Sequence, residues 1–403
     1  MFLLNLNFLL IYNVTNIVAP IILVPILVSM LGMEKYGSLI FLQTIISYVL
    51  LLVTFGFNIS AVRCYSQIKE NDRKREYYSS VLIARCVLYT ISMSVAIFIT
   101  YALMGLDNAI VLFLLSYVCI QEIFLPLWLY QVEDNVKIAA YTNLIAKISI
   151  IILSVILLRD DNAYFIYPLI SFIVTLLSVF YIQVNLKQSG VYFTKISFNS
   201  IKECLVESWP LFLANCTQLY TRLNKIVLGV FAGSNAVAIF DIGEKIFLLM
   251  KFPFGIISQA LFPRLSKSYD SKILTKITII LFLVAFVFCV VAMIFGGYLV
   301  HFISGGESTE SVYVIKILSI SLFAIVINNC FGVQYIIVKG KITIYRNVIF
   351  AGGMFYVFAL LYLVSLNNIS PISVSLLIVA AEFFTAVIFT IYIFKRWKCK
   401  YEA

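Results

Sequence analysis

The stretch Ser38 to Arg75, "SLIFLQTIISYVLLLVTFGFNISAVRCYSQIKENDRKR", carries no charged side chain from residue 38 to residue 62. It places one arginine, Arg63, at the end of the apolar run, and then breaks into a dense basic segment. A helix needs about 20 consecutive apolar residues to cross a bilayer, and this run supplies them. Its hydrophobic residues are continuous rather than alternating, which favours a spanning helix over a barrel strand. The same alternation of a long apolar run and a short polar break recurs along the whole chain.

Composition agrees. Of 403 residues, 63% are hydrophobic and only 12% are charged, with a mean hydropathy of +1.04. A soluble chain of this length would need charged residues over its surface, and here they are missing, so lipid is the solvent. The net charge of +10 does not point to nucleic acid. The basic residues fall in short loops between apolar runs and form no stripe on a soluble domain. The N-terminal "MFLLNLNFLLIYNV" lacks the basic start and small-residue cleavage site of a signal peptide, so the first helix is expected to be retained.

Twelve spans are predicted, at 6–31, 38–62, 79–103, 109–131, 138–158, 164–184, 204–231, 238–262, 273–300, 312–338, 344–365 and 370–394. The fold class is an all-α integral membrane protein of about twelve transmembrane helices. Lysine and arginine set the orientation. One set of loops, with the C-terminal tail, carries 19 of them, including Lys69, Arg73, Lys74 and Arg75, while the opposite loops carry only Lys35 and Arg159. The positive-inside rule then places both termini in the cytoplasm of a multi-pass membrane protein. The longest connector on that side, "NLKQSGVYFTKISFNSIKE" (Asn185 to Glu203), reads as a link between two six-helix lobes: 1–190, a linker at 191–203, and 204–403. A faint echo joins the halves. Phe55-Gly56, Ile59-Ser60, Arg63 and Ser66 of span two recur as Phe254-Gly255, Ile257-Ser258, Arg264 and Ser266 of span eight, which suggests a parallel pseudo-repeat.

Eight basic residues fall within or at the edges of spans: Arg63, Arg85, Lys147, Arg222, Lys225, Lys245, Lys251 and Lys316. Five acidic ones join them: Glu122, Glu207, Asp241, Glu244 and Glu382. A charge facing lipid at the bilayer centre costs about 2.5–3.5 kcal/mol on insertion scales, so most of these side chains are expected to face protein or a watery cavity. Glu207 reads as a snorkelling anchor, and Arg63 and Arg85 divide between anchors and ligands. Arg222 and Lys225 lie one turn apart in span seven, while Asp241, Glu244 and Lys251 share a stripe of span eight. An ion-pair cluster and a ligand site both fit that arrangement. Glu122 and Lys147 are expected to pair with each other. Glu382 has no evident local partner and is a candidate protonatable group. Prolines at 20, 25, 126, 210, 253 and 263 permit kinks.

The eight cysteines are scattered with no CxxC, and the single histidine, His301, has no metal-like companions. No catalytic constellation or phosphate-binding glycine loop is present in the sequence, so neither an enzyme nor a cofactor or metal is expected.

Taken together, the segments resemble a known family. The opening "NVTNIVAPIILVPILVSMLGMEKYGSLIFLQTIISYVLLLVTFGFNISAVRCYSQIKEND" looks like the start of the polysaccharide-transporter branch of the multidrug/oligosaccharidyl-lipid/polysaccharide exporter superfamily. "WPLFLANCTQLYTRLNKIVLGVFAG" and "FPFGIISQALFPRLSKSY" resemble the seventh and eighth helices of Wzx-type O-antigen flippases. The resemblance covers essentially the whole chain. It implies a V-shaped pair of six-helix lobes around a basic central cavity, in the inner membrane of a bacterium. It further implies a substrate of undecaprenyl-diphosphate-linked oligosaccharide, carried from the inner to the outer leaflet, with a polysaccharide polymerase and a chain-length regulator as partner proteins. Arg63, Arg85, Lys147, Arg222, Lys225, Lys245 and Lys251 are then the expected substrate-binding cations, with Glu122, Asp241, Glu244 and Glu382 as coupling or structural carboxylates. Arg63 and Arg85 are expected to reach the same depth at the inner mouth, where together they could hold a diphosphate.

Two other classes compete. A drug or cation antiporter of the same superfamily would use carboxylates such as Glu122 and Glu382. A membrane polysaccharide polymerase would carry a large outer loop, which the sequence lacks.

Overall fold

A computed structural model describes residues 2–158, 163–194, 196–216, 222–306 and 308–401. Arg159 and Lys195, counted above among the loop charges, lie outside them. The described residues form helices and connecting turns with no strand.

Helix α1 (Phe2–Thr54) holds the first span and most of the second. The two parts meet at Gly32, whose φ of 72° and ψ of 168° leave the helical region. The second span then breaks again at Phe55 and Gly56, with φ of 41° and 79°, and resumes as α2 (Phe57–Gln67). Helix α3 (Asn71–Met104) follows. Span four is divided into α4 (Leu106–Leu115), α5 (Tyr117–Phe124) and α6 (Leu127–Val132). Its second break falls at Leu125-Pro126, where proline offers no amide hydrogen to the ladder. Then come α7 (Val136–Leu157), α8 (Ala163–Gln188), α9 (Phe198–Cys216) and α10 (Leu223–Phe231). The remainder is α11 (Ser234–Lys267), α12 (Ser271–Ser304), α13 (Thr309–Ile327), α14 (Ile342–Ser365) and α15 (Pro371–Tyr401). Helix α13 runs on as a π-helix over Asn328–Ile337.

Ten stretches among the described residues are long and apolar enough to cross a membrane. The difference from twelve has two sources. The first two spans form one continuous stretch, Asn7–Gln67, and span seven is shared between α9 and α10.

Two compact units emerge, Met1–Arg222 and Leu223–Ala403. The division falls inside span seven, after α9, rather than at the linker 191–203. Helix α9 packs on α2 and α3 of the first unit. That unit is centred on Trp128, which is almost fully buried among Phe57, Tyr65, Tyr78, Ala139 and Ile182. In the second unit α13 is the hub, packed by α11, α12 and α15. It presents Ser311, Ser319 and Ser321 inward, small residues that let helix backbones approach closely. Gly243 of α11 makes one such approach, since a Cβ there would lie 2.5 Å from Cγ1 of Val314. Large apolar side chains such as Phe98, Phe180, Tyr298 and Phe302 point outward, as expected where lipid replaces water.

The echo between spans two and eight does not extend to the backbone. Gly56 is left-handed and caps the start of α2, whereas Gly255 lies inside the unbroken α11.

Candidate functional site

The break at Phe55-Gly56 lays α2 against α9. A Cβ on Gly56 would fall 2.7 Å from Cβ of Leu211 and 3.1 Å from both the Phe212 nitrogen and the Ser208 carbonyl oxygen. Only glycine combines this positive φ with so close a neighbour at little cost. Phe55 stacks on Phe212 with ring centroids 4.5 Å apart. The Ser60 and Ser208 hydroxyls lie 2.6 Å apart, and the Cys64 thiol donates to Oε2 of Glu207 at 2.8 Å.

Beyond this seam, the ends of α2, α3 and α9 enclose a cavity of about 710 Å³ lined by Arg63, Lys69, Glu76, Tyr77, Glu203 and Glu207 among others. Arg63 is exposed, and the described residues offer it no carboxylate within ion-pair distance. Its neighbour Arg73 is engaged by Glu70 at 3.0 Å. The Ser200 hydroxyl donates to Oε1 of Glu76 at 2.6 Å. Glu207, expected to be a snorkelling anchor, instead faces this cavity with its carboxylate oriented by a thiol.

Arg85 does not join Arg63. It is 1% exposed, is missing from the cavity lining, and belongs to a separate network. Nη2 donates to Oδ1 of Asn58 at 2.7 Å, and Nη1 donates to the Glu122 carbonyl and lies 3.5 Å from its Oε1. Nδ2 of Asn58 closes the ring by donating to the same carboxylate oxygen at 2.8 Å. The shared diphosphate clamp of Arg63 and Arg85 is therefore corrected: desolvation drives the Arg85 cation onto the one nearby carboxylate. Glu122 is likewise paired with Arg85 and not with Lys147, which lies over the Tyr117 ring at 5.7 Å.

The second unit gathers four of the expected residues. Nζ of Lys225 bridges Oδ1 of Asp241 at 2.6 Å and Oε2 of Glu244 at 2.7 Å, and Nζ of Lys245 meets Oδ2 of Asp241 at 2.8 Å. Asp241 is 1% exposed, and a carboxylate so buried is tolerated only with charges and donors around it. Of the two arrangements the sequence left open, these four residues form the ion cluster. Its formal charge is zero, because Lys251 is turned to the Phe247 ring at 6.0 Å and Arg222 belongs to the first unit. There Nη1 of Arg222 donates to the Ser47 carbonyl at 2.7 Å. Beside the cluster, the Tyr356 hydroxyl donates to Asn224.

Glu382 has a partner after all. Nδ2 of Asn328, at the start of the π-helical stretch, donates to Oε2 of Glu382 at 2.8 Å and reaches Oγ1 of Thr385 at 3.0 Å. Sequence reasoning missed Asn58, Asn328 and the carboxylates Glu76 and Glu203. The two asparagines carry no charge to draw notice inside an apolar run, and the two glutamates look like solvated loop charges until α9 folds over α3.

Comparison with known proteins places this geometry. The sequence matches a family described as "Polysaccharide biosynthesis protein" over residues 2–269. A protein of Shigella dysenteriae named "Putative O-antigen transporter" is 29% identical over 282 residues, 66% of this chain and 69% of that protein. Among solved structures, the lipid II flippase MurJ in an inward closed conformation aligns with a TM-score of 0.68 at 12% identity, over 97% of this chain and 87% of its own. An inward-facing multidrug resistance MATE family transporter of the MOP superfamily aligns with a TM-score of 0.65 at 15% identity, over 96% and 95% of the two chains. These likenesses show a shared fold.

Proposed function

Because the chain belongs to the polysaccharide biosynthesis protein family, we propose that it is a flippase that moves undecaprenyl-diphosphate-linked oligosaccharide across the bacterial inner membrane, from the inner to the outer leaflet, by alternating access. The O-antigen transporter and the MurJ flippase among its relatives support the substrate class. The observation that carries the reading is Arg63, a cation without an ion-pair partner among the described residues on the wall of a large cavity at the end of span two. In the orientation set by the loop charges, that cavity opens to the cytoplasm, where both termini lie. A lipid-linked diphosphate leaving the inner-leaflet interface would meet the planar Arg63 fork first, with its polyprenyl tail remaining in lipid.

The antiporter alternative is less well supported. The carboxylates it would use, Glu122, Asp241, Glu244 and Glu382, are engaged by Arg85 and Asn58, by Lys225 and Lys245, and by Asn328. The test is export of lipid-linked sugar in cells carrying Arg63→Ala and Arg63→Lys at matched protein levels. A first-contact cation predicts loss with alanine and a partial defect with lysine, which keeps the charge but not the bidentate geometry. A topology signal predicts no difference between arginine and lysine, since the positive-inside rule counts them alike.

A further inference from the structure

The walls of the cavity beside Arg63 are not basic. Arg63, Lys69 and Arg73 line it, but so do Glu70, Glu76, Glu203 and Glu207. Setting aside the Arg73–Glu70 pair, two cations face three carboxylates. A site built for a bare diphosphate would not keep three carboxylates on its wall, because like charges there repel the ligand.

Two of those carboxylates are also held in place by groups that leave their charge intact. The Ser200 hydroxyl fixes Glu76 and the Cys64 thiol fixes Glu207, both neutral donors. Their remaining lone pairs are left for another donor. The acids come from α3 and α9, whereas Arg63 projects from α2, so cation and acceptors stand on different walls of one space. A volume of about 710 Å³ is within the range of small-molecule pockets, roughly 300–1,000 Å³.

We infer that this cavity recognises the sugar next to the diphosphate through Glu76, Glu203 and Glu207, and that it selects a neutral or amino sugar and rejects an acidic one at that position. The inference rests on the flippase reading above. Arg63 and Lys69 meet the phosphates, and the carboxylates accept hydrogen bonds from hydroxyl, amide or ammonium groups of the first sugar. A uronic acid there would bring a fourth carboxylate against three and lose donors at the same time, a repulsive element of the kind that sets specificity.

The experiment is displacement of a radiolabelled undecaprenyl-diphosphate N-acetylglucosamine from the full-length protein in nanodiscs. The competitors are unlabelled undecaprenyl diphosphates carrying N-acetylglucosamine, glucosamine or glucuronic acid. The expected result is that the glucuronic acid lipid binds at least about tenfold more weakly than the other two. Glu203→Gln and Glu207→Gln, still binding the N-acetylglucosamine lipid, should narrow that gap to about threefold or less. Equal binding of all three competitors overturns the inference and leaves the flippase reading standing. A gap that both variants preserve overturns it too, because discrimination then lies elsewhere. If the wild-type protein binds none of the lipids, the flippase reading itself fails and takes the inference with it.

Discussion

Replacing Gly56 with alanine should unseat α2 from α9, and its pseudo-equivalent Gly255 provides the control. At Gly56 the added methyl meets two penalties. A non-glycine residue at positive φ costs roughly 1–2 kcal/mol. A Cβ 2.7 Å from Cβ of Leu211 and 3.1 Å from two backbone atoms must also push two helices apart, and overpacking of this kind costs about 1–3 kcal/mol. The sum is about 2–5 kcal/mol. At Gly255 a Cβ would meet nothing within 4 Å, and the residue is helical, so alanine should be neutral or stabilise by up to about 1 kcal/mol through helix propensity. The assay is a thermal melt of purified protein in detergent, read by size-exclusion of the surviving monodisperse fraction. For a unit the size of Met1–Arg222, Tm moves by about 2–4 °C per kcal/mol, so Gly56→Ala should fall by at least about 4 °C while Gly255→Ala stays at the wild-type value or rises by up to about 4 °C. Equal shifts in the two variants would refute the claim that span two alone is broken and closely packed at this point.

Glu122→Gln should leave the buried Arg85 without its counter-ion. Breaking a buried pair costs about 3–5 kcal/mol, reduced here to about 2–3 kcal/mol because Glu122 is a quarter exposed; the same melt should recover part of that loss in the Arg85→Met/Glu122→Gln double variant. Lys225→Met should be more damaging than Glu244→Gln, since the lysine bridges both carboxylates while Glu244 is 23% exposed; equal losses would mean that Asp241 does not depend on Lys225. Asn328→Ala removes the side-chain donor that the structure gives Glu382 and should cost about 1–3 kcal/mol, with Asn328→Asp worse still through like-charge repulsion; a melt unchanged in both would dismiss the contact.

The spans were legible because the bilayer demands one thing, an apolar run of sufficient length, and the runs at 38–62 and 273–300 state it plainly. The breaks inside them were not. Phe55-Gly56 and Phe254-Gly255 look alike in sequence, and nothing local distinguishes the left-handed Gly56 packed against Leu211 from the helical Gly255 with open space around it. The same limit applies to the charges. Asp241, Glu244 and Lys245 could be grouped beforehand because helical spacing puts them within a turn of one another, and Lys225 because it lies at similar depth on the neighbouring span. Arg85 finds Glu122 only after span four breaks into short helices, and no local spacing encodes that meeting. Long sequence separation hides Arg85–Glu122, and the lack of charge hides Asn58 and Asn328.

The zero formal charge of the Lys225–Asp241–Glu244–Lys245 cluster also bears on how the membrane potential can act. One elementary charge crossing the full field exchanges about 2.3 kcal/mol per 100 mV, but a rearrangement that carries these four groups together displaces no net charge and draws no electrical work. Lys225→Met would leave one carboxylate unbalanced, so in sealed vesicles the potential dependence of that variant's rate should differ from that of the wild-type protein, whose dependence comes from the charge of the substrate and not from this cluster.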